Sequence, residues 1–221
     1  LFNEGYHGAS PESAVRADLC RESMRLVSIL LKNPLGAAPS TYALAALMCL
    51  NAARLPARRD ASGNLAALED QDRSLFDLAL AQEGHRLLEF SASGAELTDY
   101  HIEAAIAWAH TSPHRLEDTD WGMIVSLYDQ LIAIRPSPVV ALNRAIAISQ
   151  HEGPQRGLDE IHAIQDSVRL ANYPFYHAAL GELELRMRKK ETARMHFVSA
   201  LKLARNPMEQ SFFEQRIDAC A

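Results

Sequence analysis

The chain has 221 residues, 48% of them hydrophobic, and a formal charge of -6, which bounds it to one large or two small soluble-type domains with a substantial core. The negative balance argues against a general nucleic-acid-binding surface, which needs surplus Lys and Arg to neutralise phosphates. Three widely spaced cysteines, Cys20, Cys49 and Cys220, fit neither a disulfide framework nor a zinc pattern and read as buried thiols of a reducing compartment.

Residues 1–10 read as a connector, with Asn3, Gly5 and Gly8 loosening the backbone and Phe2 and Tyr6 able to anchor it. Leu1 falls inside an apolar-polar pattern, so the sequence reads as a piece of a longer chain. Ser10-Pro11-Glu12 predicts a helix start, and the helix should reach about Lys32 with Val15, Leu19, Leu26 and Leu30 as its buried stripe. A second helix, from Ser40 to about Arg54, is apolar on nearly all sides over residues 44–50, which predicts the central helix of the N-terminal half. The longest apolar run, residues 42–50, is far too short to cross a bilayer, and a cytoplasmic protein without membrane contact is expected.

Over residues 55–68 the helical period disappears, and turn chemistry around Gly63-Asn64 suggests a short β-hairpin or an ordered loop near 58–68. Glu69, Asp70 and Asp72 follow, with Arg73 beside them, leading into a helix to about Phe90. Clustered carboxylates can bind a divalent cation or do acid/base work. The stronger reading is that acids in a first helical turn complement the dipole and pair with Arg58, Arg59 and Arg73, since no metal-loop spacing is present. No metal and no cofactor is expected.

Thr98 opens the next helix, with Ile102, Ala105, Ile106 and Ala109 on its inner side. His110 and His114 share a four-residue spacing, but Pro113 ends the helix between them and no further ligands follow. Thr119 or Asp120 caps a helix containing Trp121, Ile124, Leu127, Tyr128 and Leu131. Trp121 reads either as an exposed anchor for a partner or, preferably, as packing at the join between two halves, 1–118 and 119–221.

Residues 174–207 contain one complete helix-turn-helix repeat of tetratricopeptide (TPR) type. Gly181 and Ala193 are small where two helices touch, Phe197 fills the gap to the next hairpin, and Ala200 follows. Ala145, Gly157, Ile161 and Ile164 take the same places in a hairpin starting near Pro138; Trp108, Tyr128, Leu131 and Pro136 fit a third copy less well. Asn143 and Arg144 sit on the first helix of one hairpin. Asn143 is either a groove residue holding a peptide backbone or an internal bridge between helices, and Arg144 is suited to a carboxylate. The basic run Arg186, Arg188, Lys189 and Lys190 reads as a helix end, and Asn206-Pro207 starts a capping helix with Met208, Phe212, Phe213 and Ile217 on its apolar face. The fold class predicted is all-α, built from helical hairpins with TPR-like repeats in the C-terminal half.

The segments Leu1-Phe2-Asn3-Glu4-Gly5-Tyr6, Arg58 to Asp60 with Gly63, Leu68-Glu69-Asp70-Gln71-Asp72-Arg73-Ser74, Thr119-Asp120-Trp121 with Leu127-Tyr128, and Pro136-Ser137-Pro138-Val139-Val140-Ala141-Leu142-Asn143-Arg144-Ala145 resemble the C-terminal TPR-like extension of a group of extracytoplasmic-function (ECF) sigma factors of bacterial RNA polymerase. The resemblance covers nearly the whole chain, and none of its motifs is a catalytic signature. It implies a non-enzymatic regulatory part of a transcription factor, without the DNA-binding parts and without direct nucleic-acid contact. The implied partners are RNA polymerase, the sigma domains of the same full-length protein, or a protein regulator. Two other readings stand beside it: a free-standing TPR adaptor gripping a peptide, and a small-molecule sensor or helical hydrolase using the acids of residues 69–72. The latter needs a deep polar pocket joining those acids to His101 or His110.

Overall fold

The computed structural model describes residues 1–8, 15–60 and 63–221. Among these residues the secondary structure is helical, apart from one isolated antiparallel bridge between Arg59 and Leu65. Two compact units are formed, Leu1–Thr119 and Asp120–Ala221. No helix is long and apolar enough to cross a membrane among the described residues.

The first unit is organised around α3 (Pro39–Ala53), whose residues Ala43, Ala45, Ala46, Cys49, Leu50, Ala52 and Ala53 are buried. Small side chains on all sides let neighbours approach closely, and α1 (Phe2–His7), α2 (Ala17–Leu31), α4 (Leu78–Ser91) and α5 (Asp99–Thr111) all pack on it. Gly84 of α4 marks the tightest approach, because a methyl group there would stand 2.7 Å from Cγ of Leu50. The apolar predicted helix thus takes the central place its sequence demands.

Three local expectations are corrected, and a fourth lies outside the described residues. Residues 2–7 form a short helix instead of a loose connector: Phe2 and Gly5 are buried, and the Phe2 and Tyr6 rings stack with centroids 5.9 Å apart. The predicted start at Ser10-Pro11-Glu12 lies outside the described residues, and the described helix begins at Ala17. Its buried residues are Cys20, Ser23 and Val27, while Leu26 and Leu30 stay about half exposed. Apolar residues occupy almost every position from Leu26 to Leu31, so periodicity alone does not select the face; close contact of α1 does, with Gly5 against the backbone and sulfur of Cys20. Finally, the helix expected to run to about Phe90 is α4, but the acids expected in its first turn lie before it, in and beside two 3-10 turns, Leu68–Asp70 and Arg73–Leu75. Asp72 and Asp77 each stop the preceding segment and cap the next, accepting from the Ser74 and Leu80 amides.

In the second unit α6 (Trp121–Ile134) packs on α7 (Pro138–His151), which pairs with α8 (Pro154–His162); α9 (Pro174–Arg186) pairs with α10 (Lys190–Lys202), and α11 (Pro207–Asp218) packs on α10. The offset from Pro138 to Pro174 is 36 residues, within the range expected for hairpin repeats. The marker positions behave alike in both hairpins. Ala145, Gly157, Ile161 and Ile164 are buried in one, and Gly181, Ala193, Phe197 and Ala200 in the other. Phe197 clusters with Ala193 and Cys220, with Leu185 and Ile217 packed alongside, so its ring joins the hairpin to α11. The residues of the third copy are divided between the two units: Trp108 belongs to α5, where it stacks on His85 at 4.2 Å, whereas Tyr128 and Leu131 lie on α6.

α11 closes this unit with a reciprocal cap. Asn206 accepts from the Glu209 amide at 2.9 Å, and the buried Glu209 carboxylate accepts from the Arg205 amide at 2.8 Å. Of the basic run only Arg186 ends a helix, α9, whereas Lys189 and Lys190 stand at the start of α10; three of its cations have partners within the unit. Arg186 donates to the Ser149 carbonyl at 3.2 Å, Lys189 pairs with Glu184, and Lys190 reaches the carbonyl of Ala221.

Candidate functional site

The chemistry-bearing residues of the first unit converge where the C-terminal ends of α3 and α5 meet α1 and the loop of residues 55–75. Arg54 follows the last residue of α3 and is only 9% exposed. One of its terminal nitrogens donates to Oε1 of Gln71 at 3.0 Å, and Gln71 in turn donates to the Ala66 carbonyl. Arg58 ends the 3-10 turn Leu55–Arg58, its guanidinium 4.1 Å from the Tyr6 ring centroid and 3.1 Å from Nδ1 of His7. Arg73 donates to the carbonyls of His110 and Pro113 at 3.0 and 2.9 Å and to the Thr119 hydroxyl at 3.3 Å. It therefore satisfies orphan carbonyls at the end of α5 and places a cation at the negative pole of that helix.

These cations shape their neighbours. Burial pushes the Tyr6 phenol up, but the Arg54 and Arg58 charges together outweigh it, leaving the phenol below its ordinary value. Burial, then the Arg54 and Arg73 charges, hold the His110 imidazole down at about 3, so it is neutral across the physiological range. Arg73 itself is lowered by burial and by the charge of Arg54.

The acids do something different. Asp70 and Asp72 are exposed, as is Glu69. The expected pairing with Arg58 and Arg73 is not what forms: Arg73 turns to carbonyls and Arg58 to an aromatic face. Asp72 holds a turn, accepting from the amide and hydroxyl of Ser74 at 2.9 and 2.6 Å, and those bonds keep its carboxyl below the usual range. His101 lies elsewhere, in a pocket of about 290 Å³ lined mainly by Leu88, Ala92, Gly94, Ala95, Leu97 and Ala105. There its Nδ1 accepts from the Thr98 amide at 3.1 Å, and its Nε2 sits 3.3 Å from the Ser91 carbonyl. The acids of residues 69–72 are thus not joined to His101, and His114 is exposed. No group of three or more metal-ligating side chains is present among the described residues.

The remaining sequence candidates fall in the second unit and are not gathered together. Trp121 is the first, half-buried residue of α6, behind an Asp120 cap on the Met123 amide. Asn143 is exposed on α7, which excludes the role of an internal bridge. Arg144 is used within the fold, donating to Asp129 of α6 at 2.6 Å and Glu160 of α8 at 2.7 Å, and Glu160 also takes Arg156. Burial lowers Arg144, but the two carboxylates outweigh that and raise it. Sequence reasoning missed Arg54 and Gln71 as site residues. The signal available was one of type and place, a cation immediately after an all-apolar helix that must be central.

Residues 1–92 match the model of a family of unknown function, DUF6596. Over all 221 residues the chain is 38% identical to an uncharacterized protein, R00370, of Rhizobium meliloti (strain 1021), and it spans about half (52%) of that relative's length. No solved structure matches.

Proposed function

We propose that this chain is a regulatory, non-enzymatic protein-interaction domain of a bacterial ECF sigma factor, which acts by contacting the sigma domains, RNA polymerase or a protein regulator. The observation that carries the reading is where the family-like residues fall. Segments of the resemblance that are far apart in sequence meet in one unit, with Tyr6 under Arg58 and Arg73 donating to the Thr119 hydroxyl at 3.3 Å. Residues placed in this way hold a helical unit in shape, which suits a surface-presenting domain whose effect is a shift in the population of transcription-competent sigma. The relative of about twice this length leaves room for the sigma domains that the reading requires in the longer protein.

The test is in-vitro transcription with the longer protein, with the same protein cut before Leu1, and with the cut protein plus this chain added separately. Loss or release of activity on truncation, reversed by the added chain, is the expected result. Identical activity of all three with a cognate promoter overturns the regulatory reading.

A further inference from the structure

We propose that Arg54 and Arg58, with Gln71 and Tyr6 beside them, form a binding site for a compact oxyanion, a phosphate or a carboxylate group. A guanidinium carries five N–H donors and no acceptor, so its valences count directly. Arg54 is nine-tenths buried, its one hydrogen-bonded partner is the neutral Gln71 oxygen, and its Nε has no partner. The Arg58 guanidinium stands 4.1 Å from the Tyr6 ring centroid and 3.1 Å from Nδ1 of His7, and its buried Nε also has no partner. Neither arginine makes an ion pair with a carboxylate among the described residues.

A buried cation without a counter-charge is strongly unfavourable. The carbonyl end of α3 offsets only part of this for Arg54, since a helix end amounts to about half a charge. Arg73 adds a third positive charge beside Arg54, but its donors are engaged by the His110 and Pro113 carbonyls, so it contributes field more than contact. Planar guanidinium forks match carboxylate and phosphate geometry better than any other side chain does. Arg58 is only partly buried and gives the ion its route in. The inference does not depend on the sigma-factor reading.

The experiment follows the arginine Nε–Hε signals of the intact chain by NMR while inorganic phosphate or, separately, citrate replaces chloride at constant ionic strength. Saturable shifts of the Arg54 and Arg58 signals are expected, at least tenfold weaker binding in Arg58→Gln, and unchanged binding in Arg59→Gln, which alters the exposed neighbour. A response to phosphate alone assigns a phosphorylated ligand, a response to citrate alone assigns a carboxylate, and a response to both assigns recognition of any compact oxyanion. No saturable shift with either anion in the unsubstituted protein overturns the proposal, as does equal binding by a folded Arg58→Gln protein.

Discussion

One terminal nitrogen of Arg73 reaches the carbonyl of His110, 37 positions along the chain, at 3.0 Å, and also takes the Pro113 carbonyl at 2.9 Å. A side chain from an irregular loop thereby fixes the end of α5. Replacing it with methionine leaves those carbonyls unsatisfied, at a cost of about 2–4 kcal/mol given the strength of charge-assisted bonds. Lysine restores only part of this, because it lacks the planar fork. Urea unfolding of the two variants checks the order.

His110 makes the first unit acid-sensitive. The folded chain binds its proton only near pH 3, whereas an imidazole free in water binds one near 6.5. The unfolded state therefore takes up the proton first, and stability is full above about pH 6.5 and falls as the pH drops towards 3. Between those limits each pH unit costs about 1.36 kcal/mol, so the loss by about pH 4.5 should be about 2–3 kcal/mol. His110→Gln should flatten that part of the pH dependence in chemical-denaturation midpoints.

The thiols should be silent. Burial pushes Cys49 up to about 12, and it raises Cys20 and Cys220 as well. Since the thiolate is the reactive form, labelling by a disulfide reagent at about pH 8 should proceed only as fast as the protein opens. A Cys49 rate near that of a free thiol would contradict the packing of α3.

Arg144 links three helices through Asp129 and Glu160 while still about a quarter exposed. Arg144→Met should cost about 1 kcal/mol after allowance for solvent screening, and the cost should shrink in high salt. Thermal melts at low and high salt separate this from a packing effect, which salt would leave in place.

Gly181 lies against the Phe197 ring, and a methyl group there would stand 2.9 Å from ring carbon Cε1. Alanine ordinarily favours a helix over glycine by about 1 kcal/mol. Here overpacking should win, and Gly181→Ala should destabilise the second unit by about 1–3 kcal/mol in denaturant titrations.

The elements with one dominant physical cause are legible in the sequence. The central α3 is visible because no face of it is polar, and the two hairpins of the second unit because Gly181, Ala193 and Phe197 have counterparts at a fixed offset. The stripe of α2 is not, since Leu26 and Leu30 compete with Cys20 and Val27 for burial, and long-range contact with Gly5 decides the outcome. At the candidate site, Arg58 and Arg73 are visible as residues but not as a pair of roles. Their partners are an aromatic face and main-chain carbonyls, which leave no mark in sequence spacing.

The two hairpins also record a restriction on how such a chain can change. Where one carries Ala145 and Ile161, the other carries Gly181 and Phe197, so a larger residue on the second helix accompanies the loss of a methyl group on the first. Changing one pair into the other a residue at a time passes either through a crowded intermediate or through one with a hole, and both are penalised. The exchange is therefore conditional: each substitution is acceptable only in the company of the other, and a segment copied from one hairpin into the other must carry both positions to fold as well as its source.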